Sequence, residues 1–117
     1  MAASTQQVLD HHLQAFGTGD LDAILEDFAD GSVIIAPGGV LRTRQEWSDF
    51  FSAMFAEFGK PGMSFSMDQQ VVEGEIAYIR WSAETADNTY ELGTDTFLVR
   101  DGKIVTQTFS EKTSPKP

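Results

Sequence analysis

The hydrophobic period of the chain changes once, at Lys60-Pro61-Gly62, and that change limits what its two halves can become. Before it, apolar residues recur at i, i+3, i+4 and i+7; after it, they alternate with polar ones. The first pattern gives helices one apolar stripe, and the second gives strands one apolar face, so a helical layer must pack on a sheet built by the second half.

In the first half, Ser4 and Gln7 have the spacing of a capping box. Val8, Leu9, His12, Leu13 and Phe16 follow at helical spacing, and Gly17 is placed to end a helix over about 4–16. Asp20 is a second N-cap, before Leu21, Ile24, Leu25 and Phe28 on one face, in a helix expected to stop near Asp30-Gly31. A strand is expected over 32–36, a turn at Pro37-Gly38-Gly39 and a short strand over 40–42. Thr43 and Glu46 form another capping box. Trp47, Phe50, Phe51, Met54, Phe55 and Phe58 then mark an amphipathic helix ending at Gly59.

In the second half, Met63, Phe65 and Met67 alternate with Ser64, Ser66 and Asp68, and strands are expected over 75–85, 89–100 and 103–111. Glu73-Gly74, Asp87-Asn88 and Asp101-Gly102 are connections too short for anything but antiparallel pairing. The expected architecture is α+β: a curved antiparallel sheet wrapped around the N-terminal helices, one domain over residues 1–117, with 113–117 as a frayed tail.

Composition closes several function classes. A net charge of -10, from 18 acids against 8 bases, repels nucleic-acid phosphates and anionic membrane surfaces. There is no apolar run of about 18 residues, and the start lacks the basic and apolar regions of a signal peptide, so a cytoplasmic protein is expected. Zero cysteines rule out disulfides, thiolate zinc sites and a cysteine nucleophile. No serine sits in a nucleophile elbow, and Pro37-Gly38-Gly39 lacks the spacing of a phosphate loop. Neither a metal nor another cofactor is expected.

The candidate chemistry centres on Asp95, which shares a strand face with Gly93, Phe97 and Val99. A carboxyl on such a face either pairs with a cation, Arg80 being the candidate, or faces a dry cavity that raises its pKa. His12 lies inside the apolar stripe of the first helix and His11 off it, facing water. The inward His12 is either a hydrogen-bonded core residue or, opposed to Asp95, half of a proton-transfer pair. Adjacent helical residues diverge and no third ligand is apparent, which argues against a two-histidine metal site. Gln107, Phe109 and Glu111 share a parity on the last strand. Phe28, Trp47 and Phe51 lie on helix stripes, as core residues or as the walls of an apolar pocket that Phe97 would also line.

The order helix, helix, short strands, helix and four long strands resembles the NTF2-like superfamily, which includes ketosteroid isomerases, SnoaL-type polyketide cyclases and scytalone dehydratases. The likeness covers nearly the whole chain. It is sharpest in Gly19-Asp20-Leu21-Asp22-Ala23-Ile24 through Phe28-Ala29-Asp30, and in Asp95-Thr96-Phe97 with Asp101-Gly102-Lys103-Ile104-Val105. It implies a cone-shaped fold whose last strand turns Gln107 and Phe109 to the pocket. Asp95 falls where ketosteroid isomerases place a protonated aspartic acid that hydrogen-bonds the substrate oxyanion. Their proton-shuttling aspartate corresponds to Ala36, before Pro37, and their oxyanion tyrosine to His12, so the resemblance implies that their general base is missing here. The expectation is a small SnoaL-like enzyme moving protons on an apolar carbonyl compound. The alternatives are a module that holds an apolar ligand without chemistry, or a homodimer formed through the sheet face carrying Tyr90, Leu92 and Leu98.

Overall fold

Both expected capping boxes form. Ser4 and Gln7 exchange hydrogen bonds at the start of α1 (Thr5–Thr18), and Thr43 and Glu46 do so at the start of α3 (Arg44–Phe58). The computed structural model describes residues 2–117. Its other elements are α2 (Leu21–Leu25), β1 (Phe28–Ala36), β2 (Gly39–Leu41), β3 (Ser64–Glu73), β4 (Ile76–Glu84), β5 (Asn88–Arg100) and β6 (Lys103–Pro115). The expected α+β architecture is what forms: a curved, unclosed six-stranded sheet with three helices. Among the described residues, no helix is long and apolar enough to cross a membrane.

The sheet order is β2-β1-β6-β5-β4-β3. Strands β3 to β6 form the antiparallel meander that the short connections require. The alternation did not reveal that β1 lies parallel to β6, with Ile34 opposite Gln107. Register shifts interrupt β3–β4, β4–β5 and β5–β6, and such bulges add the local twist that bends a sheet around its cover.

Four expectations need correction. Helix α1 passes through Gly17 and ends at Gly19, which takes the left-handed conformation at φ 66°. Helix α2 stops at Leu25, and Phe28 opens β1 instead of completing a helical stripe: its neighbour Asp27 accepts the Ile104 N–H at 2.7 Å, committing this backbone to the sheet. The tail is not frayed, because β6 runs to Pro115 opposite Asn88 and the Lys116 N–H continues to the Asp87 carbonyl. The pairing of β6 with β1 ends at Thr108, so Pro115 sits where that flank has no ladder for a missing N–H to break. Tyr90, finally, is buried on the inner face against Phe58 and Trp81, since the register shift between Tyr90 and Leu92 reverses its parity.

Helix α3 is fastened at both ends. The Trp47 indole donates to the Leu41 carbonyl at 3.0 Å. At the other end, the Glu57 carboxylate accepts from Thr85, Asn88 and Tyr90. Partial burial pushes the Glu57 pKa up, but these hydrogen bonds outweigh it and hold the group below the ordinary glutamate range. Between the ends, Trp47, Phe51 and Phe58 turn into the core.

The tightest sequence constraint in the sheet is at Gly93. It pairs across β4–β5 with Trp81, whose indole lies where a side chain at 93 would be: an added Cβ would fall 2.3 Å from a ring carbon. Gly93→Ala must therefore displace a buried tryptophan, and the expected cost is about 1–3 kcal/mol. Urea denaturation checks this, and an unchanged midpoint would show that the ring yields freely.

Candidate active site

Asp95 stands in the middle of β5, opposite Ile79 on β4 and Phe109 on β6. Only 8% of it is exposed. Its two carboxylate oxygens are held separately: Trp81 Nε1 donates to one at 2.9 Å and Gln107 Nε2 to the other at 2.9 Å. Arg80 faces the other way, exposed, with Thr94 as its cross-strand partner, so the ion-pair alternative is excluded. Burial pushes the Asp95 pKa above the ordinary aspartate range; the Trp81 and Gln107 hydrogen bonds pull the other way without overcoming it. Gln107 Oε1 is buried without a partner. If the amide turns over, that oxygen can accept the proton of a neutral Asp95, so the pair suits either charge state.

His12 is 3% exposed and is ringed edge-on by Phe97, Phe51 and Phe28, at centroid distances of 5.0, 5.9 and 6.1 Å. Its hydrogen bond runs to Asp27 and not to Asp95: Nδ1 lies 3.2 Å from one oxygen of the Asp27 carboxylate. The other oxygen is 2.6 Å from His11 Nδ1. The two neighbouring histidines thus converge on one carboxylate although they leave the helix in different directions. His11 keeps a half-exposed side chain and Asp27 is buried. Sequence reasoning did not single out Asp27. Its signal was an acid three residues after Ile24, within the apolar stripe assigned to the second helix.

Asp95, His12, Gln107, Phe51, Phe97 and Phe109 all line one cavity, of about 60 Å³, beneath α1 and α3. Leu13, Phe16, Phe58 and Phe65 connect it to a wider apolar basin of about 330 Å³ that opens past Gly17 and Met63. Phe28 and Trp47 lie outside this lining, their rings tilted against each other with Phe28 against Phe51, so their placement is that of core. Glu111 shares the parity of Gln107 but is exposed beyond the cavity. Trp81 was missed as a site residue although it occupies the inward parity of β4 with Ile79. The sequence signal was the glycine facing it. The arrangement places a carboxyl whose pKa burial raises and an imidazole held by Asp27 in one largely aromatic enclosure.

A family model for the SnoaL-like domain matches residues 9–107. Comparison with curated proteins gives no match. Among solved structures, an NTF2-like protein of unknown function from Mesorhizobium loti is 29% identical, with 92% of this chain and 90% of that one covered and a TM-score of 0.77. IdmH from Streptomyces antibioticus, a proposed polyketide cyclase, is 23% identical with a TM-score of 0.76, covering 94% of this chain and 93% of its own. SalBIII, an epoxide hydrolase/cyclase-like enzyme in pyran ring formation in the polyether salinomycin, superposes with a TM-score of 0.78 at 16% identity, over 96% of this chain and 95% of that one. With the family match spanning most of the sequence and the fold shared along its length, the chain belongs to the SnoaL-like domain family.

Proposed function

We propose that the chain is a cofactor-independent enzyme of isomerase, cyclase or dehydratase type, moving protons on an apolar carbonyl substrate such as a polyketide, terpenoid or steroid fragment. The observation that carries this reading is a buried carboxyl and a buried imidazole lining the same aromatic cavity. In the proposed chemistry, His12 takes a proton from the carbon beside the carbonyl, and the electron pair moves into the carbonyl oxygen. Asp95, in the neutral form that burial favours, donates a hydrogen bond to that oxygen. Gln107 keeps Asp95 oriented, and Phe51, Phe97 and Phe109 exclude water. Ala36 supplies no base, so the proton work falls to His12. The protein is proposed to act in the cytoplasm as a homodimer with a small apolar molecule as its partner; no contact with nucleic acid or membrane is proposed.

The second reading, a module that holds its ligand without chemistry, is favoured by the small inner cavity and by Ala36. Incubation with a panel of apolar ketones and enones in D₂O separates the two. The enzyme reading expects deuterium at the α-carbon and a fall of about 10²-fold in that exchange in His12→Ala and in Asp95→Asn, whose amide N–H is a weaker donor to the oxyanion than an acid O–H. Binding without deuteration across the panel would favour the module. Exchange unaffected in both variants would remove these residues from the chemistry.

Asp95 also has a cost to stability that can be measured without substrate. A folded-state pKa raised above 3.8 means that the folded chain holds a proton the unfolded chain has lost. Stability therefore falls as pH rises from about 3.8 through the folded-state value. Asp95→Asn removes this penalty, so its stability gain over the parent should widen from pH 4 to neutrality. A pH-independent difference in urea midpoints would contradict the raised pKa.

The homodimer is proposed through the outer sheet face, where Val71, Ile76 and Leu92 are exposed and Tyr78 and Leu98 lie half-buried between them. Tyr90, being buried, is not part of it. Light scattering at high concentration should give twice the chain mass of 12.9 kDa, and Leu92→Glu should shift it toward monomer. A monomer throughout would remove this face from consideration.

A further inference from the structure

The chemistry proposed for His12 uses one ring nitrogen, and the other is held by a buried carboxylate that this chemistry does not explain. We propose that Asp27 is the positioning residue of the site: bonded to both His11 and His12, it fixes His12 in the form that carries its proton on Nδ1 and leaves the Nε2 lone pair toward the cavity. The catalytic consequence rests on His12 being the base, but the assignment of the proton does not.

The inference starts from the backbone. Asp27 lies between α2 and β1, and its carbonyl accepts the Ile104 N–H at 2.7 Å, so its backbone is tied beside the first rung of β1–β6. Its carboxylate is 7% exposed and lies against two imidazoles, 2.6 Å from His11 Nδ1 and 3.2 Å from His12 Nδ1. An ionised carboxylate only accepts hydrogen bonds, so both Nδ1 atoms must donate. A neutral imidazole has one N–H. Placing it on Nδ1 makes Nε2 an acceptor, and the His12 ring sits among phenylalanine edges that offer no competing donor.

His11 has the complementary task. It holds Oδ1 by the shorter contact and turns the plane of the carboxylate so that Oδ2 meets His12. When His12 Nε2 takes a proton, one C–H bond breaks and one N–H bond forms. The imidazolium then keeps its Nδ1–H on Asp27, whose negative charge stabilises it. The Nε2–H exchanges with solvent before a proton is returned to carbon, so one proton leaves and one comes back, and in D₂O the carbon gains deuterium. A carboxylate that orients an imidazole in this way does so through the tautomer as much as through charge.

The test is the ¹⁵N–¹H long-range correlation spectrum of the histidine side chains in the full chain at neutral pH, for the parent, Asp27→Asn and His11→Ala. The expected result is the Nδ1–H form of His12 in the parent and in His11→Ala. In Asp27→Asn, whose amide offers one donor and one acceptor in place of two acceptors, the Nε2–H form should replace it in whole or in part. In the D₂O exchange assay, Asp27→Asn should lose at least tenfold in kcat with KM changed less than threefold. An Nε2–H form in the parent overturns the proposal, as does an unchanged tautomer in Asp27→Asn. Loss of the Nδ1–H form in His11→Ala would assign the control to His11 and also overturn it. The parent and His11→Ala spectra decide the matter even if Asp27→Asn does not fold. The expected tautomers together with undiminished exchange in His12→Ala would support the positioning role and remove the base assignment.

Discussion

The indole of Trp81 lying over Gly93 is the contact on which the site depends. Because position 93 has no Cβ, the ring can lie against the β5 backbone and bring Nε1 to Asp95, two residues along the same inner face. Phe109 stacks parallel to the indole at a centroid distance of 6.2 Å, and Phe65 packs at 5.6 Å. The stack holds a hydrogen-bond donor rigidly in surroundings where Asp95 would otherwise find none on that side. A buried acid without partners would cost several kcal/mol or distort the sheet. Here it is tolerated because three adjacent strands each contribute one piece: the indole from β4, the carboxyl from β5 and the amide from β6.

The site has two acidic groups in opposite circumstances. Asp95 is cut off from water among aromatic rings, and that burial raises its pKa although one indole N–H and one amide pull the other way. Asp27 lies against two imidazoles, one on each carboxylate oxygen. The apolar cavity lies against the first, and the second stands behind His12. Asp95 and His12 therefore share a cavity without a direct bond between them.

The hydrophobic period made the fold class, both capping boxes and the buried face of β5 readable, because each follows from neighbours close in sequence. Asp95 and His12 were legible as inward polar groups for the same reason. What remained hidden depended on partners far along the chain. Phe28 satisfied a helical stripe as well as it satisfies the β1–β6 ladder, and only residue 104 decides between them. Tyr90 had the parity of an outer residue until a register shift turned it inward. Asp27 was not singled out, because nothing local announces that two histidines in α1 will reach it. The tail looked disordered from its prolines, yet β5 is long enough to need a partner to its first residue.

The strand order has a consequence for how the chain reaches this state. β6 is the last of the nine elements along the sequence, yet it occupies the interior of the sheet, between β1 and β5. Until it arrives, β1 with β2 has no rung joining it to the meander, and the first and second halves of the sheet are separate pieces. On a ribosome, then, the helices and β1 must wait, with apolar faces uncovered, while some seventy residues of chain are made. This late strand acts as a keystone, and until it is set the apolar faces on either side of it stay open to the wrong partners.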